Sequence, residues 1–279
     1  ATLGESGYAE SMRAAQIRDA LALIERAQPK DLLAIQLDDR GLALQRWHEL
    51  LLRVLTPAQI TGHADRALLR QLVENWNGRA TLDAVGYRLV RLWRDAVAKR
   101  ALDPIFASCV QADPSFRWSK LPFEEPLWVL LTEQPLHLLS PAESSWDTLL
   151  LAAADEVIAS LHQEGTPLAS ATWGRRNVVK IQHPLARVLP RWLSGWMNLP
   201  TEALPGDSTT PRVQTLSLAA SERFVVSPGH EAEGIFHMPG GQSGHPLSPF
   251  YRAGHQAWVK GEPTPFLPGV TQYTLILQP

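Results

Sequence analysis

The sequence predicts an α+β fold, helical in its first part and built from antiparallel strands in its second. Two observations carry that expectation. Up to Gly165, apolar residues recur at intervals of three and four with recognisable helix caps, and beyond it short strand-like runs are separated by proline and glycine. Composition changes at the same point: residues 1–165 carry 17 basic and 22 acidic side chains with 8 prolines, whereas residues 166–279 carry 9 basic and 6 acidic with 14 prolines. The chain therefore reads as a mainly helical region, 1–165, and a β-rich region, 166–279, both parts of one domain.

The first helix is placed at residues 8–27, with Ile17, Leu21 and Ile24 on one stripe and Pro29 marking its end. Arg13 falls on that stripe one turn before Ile17. Helices over 31–38 and 42–55 follow, and Thr56-Pro57-Ala58-Gln59 fits a capping box that opens another helix reaching Trp76. Asn77-Gly78 closes it. Thr81 then reads as the cap of a helix whose buried face carries Leu82, Val85, Leu89, Leu92 and Ala96, leaving Arg88, Arg91 and Asp95 on a solvated face. The stretch 103–141, rich in proline and aromatics, reads as packed irregular structure. Ser144 or Ser145 caps a further helix through Leu161, ended by Gly165. Candidate strands are 177–183, 212–218, 223–227, 235–237 and 272–277, with one helix at 248–259.

Composition excludes several classes. With 279 residues, 45% hydrophobic and 19% charged, the chain is long and apolar enough for a sizeable core, which excludes intrinsic disorder. A net charge of −2 does not supply the basic footprint of a nucleic-acid binder. The apolar runs, such as Leu149 to Ala154 between two aspartates, are too short to span a bilayer. One cysteine, Cys109, excludes an internal disulfide and a Cys-based zinc cluster.

Candidate chemistry is sparse. The histidines at 183, 230, 237, 245 and 255 lack the i, i+2 or i, i+4 pairing of a metal site and read as structural or surface residues. Gly241-Gln242-Ser243-Gly244-His245 departs from G-x-S-x-G at its last residue, and Pro246 and Pro249 follow where an elbow needs a long helix. It reads as a tight loop whose glycines allow positive φ and whose serine bonds locally. Cys109 reads as a buried, inert thiol, and the tryptophans at 173, 192 and 196 as packing residues. Arg13, a charge on an apolar stripe, reads as a structural ion pair, with a site role as the alternative.

Further segments recur in a telling order: Arg13-Ala-Ala-Gln-Ile17, Gln36-Leu-Asp38, Glu74-Asn-Trp-Asn-Gly78, Trp173-Gly174, His183-Pro184, Pro205-Gly-Asp207, Ser221-Glu-Arg-Phe-Val-Val226, and Pro239 to Tyr251 followed by Trp258 and Gly261. Together they resemble the penicillin amidase family of N-terminal-nucleophile hydrolases, which includes penicillin acylases and acyl-homoserine-lactone acylases. The resemblance implies a precursor that cuts itself into α and β subunits, a four-layer αββα sandwich, and a serine nucleophile at the new β N-terminus whose α-amino group is the base. It makes Arg13 a site residue supporting the nucleophile and oxyanion hole. Because the sequence opens Ala1-Thr2 just upstream of the arginine helix, the nucleophile, the oxyanion asparagine and the acids of a calcium site are expected before Ala1. The expectation is thus the C-terminal portion of a β subunit, inactive alone, with the remainder of the precursor as partner and a small acyl-amide as substrate. A periplasmic or secreted location is implied in the same way. The alternative is a non-catalytic domain that keeps the acylase scaffold.

Overall fold

A computed structural model describes residues 11–216 and 218–277. Its first half is a helix bundle: α1 (Met12–Ala22), α2 (Pro29–Gln36), α3 (Gln45–Val54), α4 (Pro57–Ile60), α5 (Ala64–Glu74), α6 (Val85–Ile105), α7 (Ala107–Ala112), α8 (Glu124–Glu133) and α9 (Trp146–Gln163). Beyond Gly165 come α10 (Trp173–Arg176), β1 (Val178–Val179), α11 (Arg191–Met197), β2 (Glu202–Ala203), β3 (Arg223–Val225), β4 (Ile235–His237) and α12 (His255–Lys260). The mixture is α+β, as the sequence predicts.

Caps with local hydrogen bonds fall where the sequence puts them. The Ser145 side chain accepts from Thr148 N (3.1 Å) and Thr148 Oγ1 accepts from Ser145 N (2.9 Å), so α9 starts at Trp146. Thr56 caps α4 by accepting from Gln59 N, but that helix stops after one turn, because Gly62 turns the chain with φ 80° before α5 begins. Other boundaries differ from expectation as well. Thr81 spends its hydroxyl on Asp83 Oδ1 (2.6 Å), and α6 starts only at Val85. In the first helix, of which residues 8–10 lie outside the described residues, bonds from Leu23 N and Ile24 N to carbonyls three residues back tighten and end it at Ala22. The stretch 103–141 is more regular than its prolines suggest, since α6 runs on to Ile105 and α7 and α8 follow.

α6 is the central element. It packs against α3, α5, α8 and α9, and the core comprises Trp47, Leu51, Leu69, Tyr87, Trp93, Leu127, Leu149 and their neighbours. Trp47 meets Trp93 and Trp128 edge to face at 5.9 and 5.4 Å. α6 is covered over most of its length, so the arginines assigned to a solvated face lie against the fold instead: Arg88 is 6% exposed and bonds Glu164 and the Thr172 carbonyl, and Arg91, half-buried, pairs with Asp207. Near its middle Arg94 grips Glu124, which also accepts from Trp47 Nε1 (2.6 Å) and faces Arg46 (3.3 Å). Cys109, expected inside, is exposed on α7, a short helix with no buried residue.

The strands are fewer than predicted. β3 and β4 form an antiparallel pair with Arg223 opposite His237 and Val225 opposite Ile235, and β1 pairs antiparallel with β2. Of residues 212–218 only an isolated bridge, Gln214 to Ala219, remains, and Ser217 lies outside the described residues. Residues 272–277 form no strand and are exposed, with no neighbouring segment among the described residues to pair their amide groups. The predicted helix at 248–259 shortens to α12. Trp173 and Gly174 sit against the bundle through bonds to the Ala84 and Leu82 carbonyls (3.0 and 2.8 Å), so the β-rich region begins by packing into the helical core.

Candidate functional site

Arg13 lies half-buried on α1, and its side chain makes no hydrogen bond or ion pair with any described residue. The apolar stripe it was expected to share is turned outward, with Ile17 and Leu21 36% and 43% exposed; the residue buried on α1 is Gln16, at 5%. Gln16 reaches the next segment by donating to Asp38 Oδ2 (2.8 Å) and the Arg40 carbonyl (3.2 Å). Arg40 holds the same carboxylate through Nε and Nη2, the latter at 2.6 Å. Burial alone would raise the Asp38 pKa, but the bonds from Arg40 and Gln16 outweigh it and hold the carboxyl below its usual range. The Asp38 carbonyl accepts from Arg212 N (2.9 Å), which ties the arginine helix to the β-rich region.

The Pro205-Gly-Asp207 turn forms a second centre. Gly206 has φ 101° and packs so closely on the Arg212 carbonyl that a side chain could not fit. Its backbone bonds Ala80 O (2.9 Å) and accepts from Trp173 Nε1 (2.8 Å) and Asn177 Nδ2 (2.9 Å). This delivers Asp207 into the bundle, where Oδ2 accepts from the Tyr87 hydroxyl (2.7 Å) and Arg91 Nε (3.0 Å), and Oδ1 from Ser208 N (2.6 Å). Desolvation opposes the charge on Asp207, yet the Arg91 charge and these bonds keep its pKa low; burial together with Asp207 raises that of Tyr87. Arg91 also pairs with Asp95, which Arg176 approaches at 3.7 Å. A cleft of about 240 Å³ opens beside this network, but its charges already satisfy one another.

The Pro239 to Tyr251 loop is held from outside: the Tyr251 hydroxyl donates to the Met197 carbonyl and Arg252 to the Trp196 and Asn198 carbonyls (2.8 and 2.9 Å). Ser243 bonds locally, accepting from His245 N (3.2 Å), with no imidazole as base. Neither neighbouring glycine has the positive φ expected of it: Gly241 is required because a Cβ there would overlap the Phe250 carbonyl, whereas one on Gly244 would meet open space. Gly241→Ala is expected to lower stability by about 1–3 kcal/mol and Gly244→Ala to leave it nearly unchanged, as thermal unfolding of the two variants will show.

Behind the loop, Arg223 and His237 face each other across the β3–β4 pair, both buried. Arg223 donates to the Trp258 carbonyl and Arg212 to the Val259 carbonyl (2.9 and 3.0 Å), so two cations cap the end of α12. Burial and the Arg212 charge push the Arg223 pKa down to about 10, and burial with Arg223 lowers that of His237.

Asp38, Glu124 and Asp207 all titrate below their ordinary value when folded. Their stabilisation is therefore complete above the unfolded carboxylate pKa of about 4 and is lost as pH falls through the lower folded values. Acid unfolding followed by circular dichroism should accordingly set in below about pH 4, and less steeply in Asp207→Asn.

Sequence reasoning found Arg13 and saw Pro205-Gly-Asp207 and Gln36-Leu-Asp38 as motifs, but gave neither aspartate a task. The available signal was an acid set in a proline-glycine turn or directly after an apolar helix. Among the described residues no group of three or more His, Cys, Asp or Glu could hold a metal ion. No helix among them is long and apolar enough to cross a membrane. A family model described as penicillin amidase matches residues 1–272, and no curated protein matches the sequence.

Proposed function

The chain belongs to the penicillin amidase family of acylase-type hydrolases, and from that premise we propose that it is the C-terminal portion of the β subunit of an amidohydrolase that removes an acyl group from an amide. The nucleophile in this reading is an N-terminal serine, exposed by self-cleavage of the precursor, whose own amine takes its proton. Attack on the amide carbonyl gives an acyl-enzyme with release of the amine, and water then frees the acid.

The observation that carries the reading is Arg13. A half-buried guanidinium has five donors, none of them taken by a described residue, while one turn away Gln16 is locked to Asp38 and Arg40. An arginine so placed can orient the nucleophile's surroundings and stabilise charge developing on the carbonyl oxygen, provided other segments of the precursor complete the site. In the same reading those segments supply the oxyanion asparagine, complete the four-layer sandwich and pair with 272–277, and the protein is periplasmic or secreted.

A second reading, a non-catalytic domain on the acylase scaffold, draws on one observation: the candidate nucleophiles in hand lack a base, since Ser243 bonds only backbone and Cys109 stands exposed on α7. An assay separates the two. The complete processed protein, given phenylacetyl amides and N-acyl-homoserine lactones, should release amine measurably above the uncatalysed rate. Release at the uncatalysed rate from the whole panel would favour the scaffold.

A further inference from the structure

The helical bundle holds a concave, almost wholly apolar cleft of about 600 Å³ where the end of α6, the turn at 118–122 and α8 meet. That volume lies within the ~300–1,000 Å³ of pockets that take small molecules. Its walls are set in advance. Trp118 donates its indole N–H to Asp103 (2.7 Å) and meets Phe123 edge to face at 5.0 Å, and Phe123 is itself covered by Arg94. Phe106, Trp118 and Phe123 also pack against the main core, so the floor of the cleft is rigid.

We propose that this cleft binds a single aliphatic chain belonging to a neutral amphiphile. The concavity, with aromatic walls around one slot, suits a flexible chain better than the broad face of a helix. Charge decides the head group. The charged residue in the lining is Glu125, whose carboxylate is held by Arg46 at 2.9 Å, and Asp103 stands beside Trp118. Among the described residues a carboxylate head would find no unpaired cation at the lining, since Arg46 is held by Glu124 and Glu125 and Arg94 by Glu124, and it would lie near the carboxylate of Asp103. The inference does not rest on acylase chemistry, and the cleft contains none of the residues assigned to it.

The test uses the purified protein in its assembled form and probes with no amide or ester to cut: 1,2-hexanediol, 1,2-octanediol and 1,2-decanediol, with decanoate for comparison, by isothermal titration calorimetry. Saturable one-site binding is expected, tightening about fourfold per methylene, with decanoate about tenfold weaker than the C10 diol. Val129 lines the cleft and is half exposed, so Val129→Trp should fill the slot without disturbing the core. It should weaken decanediol at least about tenfold at an unchanged unfolding midpoint. Should that variant unfold, Leu121→Asn at another exposed part of the lining gives the same readout. Absence of saturable binding, as when another segment of the assembly fills the cleft, would overturn the proposal. So would affinity independent of chain length or indifferent to the variants, and decanoate binding as tightly as the diol would overturn the neutral-head assignment.

Discussion

Replacing Asp207 with alanine is expected to destabilise the protein by about 3–5 kcal/mol. The carboxylate is 2% exposed and accepts at once from Tyr87, Arg91 and Ser208. Its removal leaves the buried Tyr87 phenol without this acceptor and takes one of two carboxylates from Arg91, while loosening the turn that Trp173, Asn177 and Ala80 hold through Gly206. Asp95 still holds Arg91, which sets a ceiling on the loss. Asp207→Asn keeps the shape and part of the hydrogen bonding but not the charge, and should fall between alanine and wild type. Urea unfolding of the two variants checks this; a loss below about 1 kcal/mol for Asp207→Ala would mean that the network is an accessory of the fold and not its clamp.

Arg13→Ala is expected to act in the opposite sense, lowering turnover of the complete enzyme by about 10²–10³-fold, the scale of losing one oxyanion-stabilising donor, with little change in the unfolding midpoint. The asymmetry follows from the structure: Arg13 has no partner among the described residues, so its loss leaves no buried group unpaired there. Steady-state kinetics alongside thermal unfolding decide the matter. Equal losses in activity and stability would make Arg13 an ion-pair residue of the fold.

Local signals were legible in the sequence and long-range ones were not. Ser145 and Thr56 cap helices through bonds to their third neighbours, interactions contained in four residues of sequence. The strand at 235–237 forms as read because 223–225 lies opposite it, while 272–277, equally strand-like, finds no neighbour. Pairing is a property of two segments and periodicity of one. Arg88 and Arg91 were misread for a related reason: the spacing on α6 shows one apolar face but cannot reveal that α9, α5 and the 172–207 segment cover the others. For the site, resemblance supplied Arg13, whereas Gln16 reaches Asp38 across 22 residues and Tyr87 reaches Asp207 across 120, contacts that exist only in three dimensions.

Where the nucleophile resides is tested most directly by mass spectrometry of the active protein after a serine-directed acylating or sulfonylating inhibitor has abolished turnover. The expected result is one label, on an N-terminal serine in a polypeptide that travels with this chain in the native complex but lies outside residues 1–279. A stoichiometric label on Ser243, Cys109 or any other side chain of this chain, with activity lost in proportion, would contradict it.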